Sequence, residues 1–139
     1  MRIAVIDGQG GGIGRAIIEK MREELGDDIE VLALGTNALA TSSMLKAGAN
    51  EGATGENAIV VNAPKVDLIL GSVAILAADS MLGELTPLMA AAVARSAAQK
   101  VLIPLNRCGL HVIGVSAKPL PHYIEDIVIY IRSLLKEEP

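Results

Sequence analysis

Five glycines, Gly8, Gly10, Gly11, Gly12 and Gly14, crowd the run RIAVIDGQGGGIGRAII from Arg2 to Ile18. Their clustering points to a turn that cradles a phosphate. Without Cβ these residues accept positive φ and let a ligand approach the backbone closely. N–H groups at the start of the following helix, together with the helix dipole, favour an anion there. Asp7, Gln9 and Ile13 complete the loop. An apolar strand ahead of it and an amphipathic helix behind it are the context that a dinucleotide-binding fingerprint requires.

The spacing is specific about which fingerprint. G-x-G-x-x-G fails, because after Gly8 and Gly10 the third position holds Ile13. Gly8, Gly12 and Gly14 instead satisfy G-x-x-x-G-x-G. With Ile13, Arg15 and Ala16 in the string GIGRA, the stretch resembles the cofactor loop of short-chain dehydrogenases over about the first twenty residues, a local likeness that speaks to binding more than to activity. The resemblance implies NAD or NADP as cofactor.

Asp7 stands where those enzymes usually carry Thr, and a carboxylate there repels phosphate unless a metal or a donor network intervenes. Their Tyr-x-x-x-Lys pair is also missing: Ile127 lies four positions after Tyr123, and Leu134 four after Tyr130. A P-loop is argued against as well. Arg15 takes the place of its lysine, and Ala16 that of the hydroxyl that holds Mg²⁺.

The elements that must position this turn alternate along the chain. Apolar runs predict strands over Arg2–Asp7, Ile29–Leu34, Val66–Leu70, Val101–Leu105 and Leu110–Val115. Helical recurrence predicts helices over Ile13–Leu25, Ala38–Ala47, Asn57–Ala63, Pro87–Ala98 and Pro121–Lys136, with Thr86 as an N-cap. Asn50–Glu56 reads as a loop. Gly71–Met81 reads as a helix-like segment that breaks near Asp79–Gly83. The alternation predicts one three-layer Rossmann-like α/β domain over residues 1–139, with a mostly parallel sheet. The last two strands are close enough to pair as an antiparallel hairpin.

In such a sheet, ligands bind beyond the carboxyl ends of the strands, where strand order reverses. This rule selects Asp7–Gly14, then Gly35, Thr36 and Asn37, then Gly71 and Ser72, then Asn106 and Arg107. Thr36 and Asn37 can hydrogen-bond a ribose or a 2′-phosphate, but no Asp or Glu stands beside them to hold ribose hydroxyls. NAD, NADP and a mononucleotide all stay open. Asp7 coordinates a metal, orients a substrate or, as such a residue more often does, caps the N–H groups of its own loop. Arg107 offers a planar fork of donors for a carboxylate or phosphate, or a surface ion pair.

Cys108 has no activating partner and reads as a buried thiol. His111 and His122 lack metal-ligand spacing, so no metal site is expected. Asp79 and Glu84 read as an acid/base pair if their segment folds over the crevice, and otherwise as two solvated carboxylates. No catalytic residue is assigned.

At 139 residues, 51% hydrophobic and 20% charged, the chain has the composition of a globular domain; with two Tyr as its only aromatics, aliphatic side chains must fill the core. A net charge of −4 with scattered cations argues against nucleic acid as a partner. The apolar runs are too short for a membrane span, and Asp7 interrupts the first too early for a signal peptide. One cysteine suits a reducing compartment, so a cytoplasmic location is expected. The last helix adds Ile129 and Tyr130 opposite its core stripe, which predicts either a homo-oligomer interface or packing on the sheet edge.

Taken together, IDGQGGGIG, ALGTNALATS with MLKAGAN, GATGENAIVVNA, SMLGELTP and PLNRC resemble an uncharacterised bacterial family, domain of unknown function 3842, over nearly the whole chain. That resemblance implies no activity. The residues leave three functions open: a binder of a small phosphate-containing ligand, nucleotide or dinucleotide; a small NAD(P)-dependent enzyme; or an oligomeric structural or regulatory protein whose loop is only a turn.

Overall fold

The central strands are apolar on both faces, which is the pattern of a sheet covered by helices on each side. The computed structural model describes residues 1–105 and 109–137. In chain order it contains β1 (Arg2–Asp7), α1 (Gly12–Leu25), β2 (Glu30–Gly35), α2 (Ala38–Lys46), β3 (Glu51–Thr54), α3 (Glu56–Asn62), β4 (Leu68–Ser72), α4 (Pro87–Arg95), β5 (Gln99–Ile103) and α5 (Leu120–Glu137). The sheet order is β3-β2-β1-β4-β5, and every pairing among the described residues is parallel. This is the Rossmann-like α/β arrangement expected from the sequence. Strand order reverses between β1 and β4, so their carboxyl ends flank a crevice.

The pleat sends alternate side chains of each strand to opposite layers. Ile3, Val5, Val31, Ala33, Leu68 and Leu70 pack with Ile17, Ile18 and Met21 of α1 and with Ile124, Ile127 and Ile131 of α5. Ala4, Ile6, Leu32, Leu34 and Ile69 face the other way, onto Ile59 of α3 and Met89 and Val93 of α4. Thr86 caps α4 as its sequence predicts, its hydroxyl accepting from Met89 N at 3.2 Å. No helix of the described residues is long and apolar enough to cross a membrane.

Four expectations are corrected. Glu51–Thr54, read as loop, is the edge strand β3, paired with β2 from Leu32↔Glu51 to Gly35↔Thr54. Its sequence EGAT carries no apolar alternation because its side chains are largely exposed; β3 is held by backbone bonds to β2, and the bare Cα of Gly52 lets Thr41 and Leu45 of α2 lie against it.

Leu110–Val115 forms no strand and no antiparallel hairpin. Gly114 adopts φ 91°, and Val115 N bonds back to Val112 O, so the segment turns where a strand must stay extended. Gly71 and Ser72 belong to β4 rather than to a helix, and α4 stops at Arg95 because Ser96 turns away, donating to Ala63 O at 2.7 Å.

Gly71 lies against the neighbouring strand: a Cβ there would sit 2.9 Å from the Ile6 carbonyl oxygen and 3.1 Å from Ile75 Cδ1. Backbone cannot yield as a flexible side chain does. Gly71→Ala is therefore expected to lower the urea unfolding midpoint, at a cost of about 1–3 kcal/mol. An unchanged midpoint would show that the sheet gives way there.

Candidate functional site

β1 delivers Asp7 to the crevice floor, where the residue is 7% exposed. Its carboxylate does not meet an empty loop. Gly8 N donates to Oδ1 at 2.8 Å, and Gly14 N to Oδ2 at 2.7 Å. The turn supplies the donor network that the sequence demanded around this residue. Gly11 makes the geometry possible as the left-handed N-cap of α1, φ 73°, with its N–H on Gly8 O at 2.9 Å. Gly14 is needed for close approach, since a Cβ would fall 3.1 Å from that of Asp7 and 2.5 Å from Met44 Sδ.

Burial raises the Asp7 pKa above its usual 3.8, opposed by the N–H groups of Gly14, Gly8 and Ile13, while the charge of Glu84 adds to the rise. Asp7 therefore caps its own loop. The N–H groups of Gly10 and Gly12 have no hydrogen-bond partner among the described residues. A Cβ on either would meet nothing within 4 Å. These two N–H groups border a groove of about 360 Å³, lined by the turn from Asp7 to Ile13 and by Leu120.

Glu84 is the residue that the sequence did not mark as part of this turn. Its Oε1 accepts from Gln9 N at 2.8 Å, from Thr36 Oγ1 at 2.7 Å and from Asn37 Nδ2 at 2.7 Å. Asn37 also donates to Gln9 O at 2.9 Å and caps α2 through Ala40 N at 2.9 Å. The Gln9 N–H first, then Thr36 and Asn37, hold the Glu84 carboxyl below its usual 4.5. Glu84 is thus neither a free solvated carboxylate nor hydrogen-bonded to Asp79.

The segment from Asp79 to Glu84 does fold over the crevice. Asp79, Met81 and Leu82 take φ of 68°, 57° and 58°. For residues with a side chain this left-handed region costs roughly 1–2 kcal/mol each. Hydrogen bonds from Asp79 N to Leu85 O at 2.7 Å and from Ser80 Oγ to Ala74 O at 2.6 Å hold the segment in place.

Between the ends of β1 and β4 lies a cleft of about 370 Å³, walled by Ile13, Met81, Leu82 and Leu105 above the polar Asp7 and Ser72. Ser72 Oγ accepts from Ala74 N at 3.2 Å. The cleft and the groove of the turn share Asp7, Gln9 and Ile13, so they are continuous. A hollow of about 360 Å³ between α1 and α5 is as large, but no strand end contributes to it. Its Lys20 is already paired with Glu24 at 3.2 Å and Glu23 at 3.6 Å.

The strand-end rule therefore gathers Asp7, Gly8, Gln9, Gly10, Gly11, Gly12, Ile13, Gly14 and Ser72 at one place. Thr36 and Asn37 are close by but engaged with Glu84. Gly35 and Gly71 serve packing: a Cβ on Gly35 would run into Thr41. Asn106, Arg107 and Cys108 lie outside the described residues. Met81, Leu82 and Leu105 escaped notice because an apolar residue in a loop carries no chemical signature. The cues to the segment of Met81 and Leu82 were the predicted break between Asp79 and Gly83 and the reading of Asp79 and Glu84 as a pair over the crevice.

Glu84 generates a prediction whose sign follows from its lowered pKa. A carboxylate favoured in the fold contributes stability that is present above 4.5 and lost as pH falls through the folded value. Asp7, raised by burial, acts in the opposite sense: its contribution is complete below 3.8 and lost as pH rises through its folded value. Glu84→Gln is expected to lower the urea midpoint near neutral pH, with the difference from the parent shrinking towards zero at about pH 3. A difference independent of pH would show that the charge of Glu84 is not what holds the loops.

The family model described as Domain of unknown function (DUF3842) matches residues 2–136. No curated protein and no solved structure matches the chain.

Proposed function

This chain belongs to the DUF3842 family, and we propose that it binds a small phosphate-bearing ligand, of mononucleotide size, at the glycine-rich turn and the adjoining crevice. Its Rossmann-like fold is consistent with nucleotide or cofactor binding in general. The observation that carries the narrower reading is the pair of N–H groups without a partner among the described residues, Gly12 at the start of α1 and Gly10 in the turn just before its cap, with no Cβ to screen them. Such N–H groups at a helix N-terminus suit a phosphate.

The geometry favours one nucleotide over two. Around Gly8, a Cβ would stand 2.5 Å from Thr36 Oγ1, 2.6 Å from Met81 Sδ and 3.2 Å from Glu84 Oε1. That corner is where one half of a dinucleotide would run towards the end of β2. A cleft of about 370 Å³ is also at the small end of the ~300–1,000 Å³ range of ligand pockets. NAD and NADP, implied by the dehydrogenase-like loop, are therefore less well accommodated than a mononucleotide. Binding is supported better than turnover: Tyr123 donates to Ser116 O at 3.0 Å, and Tyr130 accepts from Gln99.

A second reading rests on Asp7. Because its carboxylate already takes the Gly8 and Gly14 N–H groups, the turn can be a self-capped corner with no ligand, in a protein that works by assembly. Ile129, 59% exposed on α5, would then lie in a homo-oligomer interface, and sedimentation showing only monomer would remove it. We place either form in the cytoplasm, on the chemistry of the lone Cys108.

Thermal unfolding against AMP, FMN, ATP, GTP, NAD and NADP separates these readings. A ligand at a hundred times its dissociation constant adds about 2.7 kcal/mol, which moves the midpoint by several degrees. A panel with no effect favours the self-capped turn.

Gly12→Ala sharpens the test. The new methyl points into open space, so the unliganded protein is expected to gain about 0.4–1 kcal/mol from a less flexible unfolded chain. The ligand-induced shift should vanish, because the same methyl stands where the phosphate would sit. A shift that survives would place the phosphate elsewhere.

A further inference from the structure

We propose that Met81 and Leu82 form an apolar clamp for a heteroaromatic ring, so that the ligand of the crevice is a phosphate joined to such a ring and not a bare sugar phosphate. The inference rests on the phosphate reading above. Its starting point is Leu82, 97% exposed and the most exposed large apolar side chain described. This leucine is also in the left-handed conformation, φ 58° and ψ 30°. A loop that only had to connect β4 with α4 would gain by placing glycine or asparagine there.

The strained segment is held at its ends, by Asp79 N on Leu85 O and by Glu84 on the loops after β1 and β2. Between these fixed points the chain presents Met81 and Leu82 to the cleft, with Ile13 and Leu105 also in its wall. The structure thus spends backbone strain on holding a leucine in water beside a cavity. Burial against a ligand is the gain that offsets both.

The floor of the cleft specifies the ring further. Gly8 N donates to one Asp7 oxygen and Gly14 N to the other, with the Ile13 N–H also turned to the carboxylate, and of its roughly four acceptor positions one is left for an N–H or amino group on a ring edge. Ser72 Oγ accepts from Ala74 N and retains its own proton to donate. Neighbouring donor and acceptor groups on one edge are the signature of a heteroaromatic base. Because the cleft shares Asp7, Gln9 and Ile13 with the groove beside Gly10 and Gly12, ring and phosphate are reachable by one small molecule.

The test compares AMP and FMN with ribose 5-phosphate, adenosine and riboflavin, by calorimetric titration of the full chain. The expected result is that AMP or FMN binds more tightly than ribose 5-phosphate by about tenfold or more, as burial of one large apolar side chain allows. Leu82→Asn, which relaxes the left-handed backbone, should abolish that preference while raising the unfolding temperature of the unliganded protein. Ribose 5-phosphate binding as tightly as AMP and FMN overturns the clamp and leaves the phosphate reading standing. Adenosine or riboflavin binding as tightly as its phosphate ester keeps the clamp and overturns the phosphate reading. No binding by any of the five overturns both. A preference that survives in Leu82→Asn overturns the role of Leu82, and a variant that fails to fold still leaves the comparison in the parent protein to decide.

Discussion

The grip of the Gly8 and Gly14 N–H groups on the Asp7 carboxylate joins the end of β1 to the start of α1, and the rest of the site is arranged around it. A carboxylate 7% exposed is costly to hold in its charged form, and two backbone donors near 2.7 Å are what make it tolerable. That requirement dictates the glycines. Gly11 must be left-handed for the chain to turn back on Gly8, and Gly14 must be bare for α1 to begin beside Asp7. A glycine-rich loop evolved to hold only an external phosphate would have no use for an anion in its own throat. Here the turn divides its donors, giving some to the protein and leaving Gly10 and Gly12 outward.

Glu84 repeats the device at the next corner. The Gln9 N–H, the Thr36 hydroxyl and the Asn37 amide converge on one of its oxygens, at the ends of the two strands that lie side by side in the sheet. A Rossmann unit that binds a dinucleotide often has a carboxylate at the end of β2 for the ribose. In this chain a carboxylate arrives there from a segment far along the sequence, and it is spent on cross-linking loops. The consequence is a division of the sheet edge. The β1–β2 corner is closed by protein, whereas the β1–β4 crevice is open and walled by apolar side chains.

How much of this was legible depended on the range of the interaction. The turn from Asp7 to Gly14 could be read because its logic is local: glycine spacing, a strand before and a helix after. Most of the strands and helices could be read from apolar periodicity for the same reason. β3 could not, because EGAT has no pattern of its own and forms where β2 presents free backbone groups. Leu110–Val115 failed in the opposite direction, since its pattern is that of a strand while Gly114 turns the chain. The partners of Glu84 were beyond reach: the residue could be marked as a carboxylate over the crevice, but Gln9 and Thr36 lie 75 and 48 positions away, and nothing in the sequence announces such contacts.

Strain and exposure together identify the segment between Asp79 and Glu84 as more than a connection. Three non-glycine residues at positive φ within four positions are a standing cost, and local strain of this kind persists only where surrounding contacts over-determine it. The contacts that do so are the ones at the segment's ends, through Leu85 and through Glu84. If stability alone shaped this stretch, substitution of Leu82 by a residue suited to the conformation would have been free, since its side chain touches little of the protein. An exposed leucine in this conformation fits the clamp proposed for the crevice it borders, in the way that binding sites commonly hold local stability below what the fold would permit.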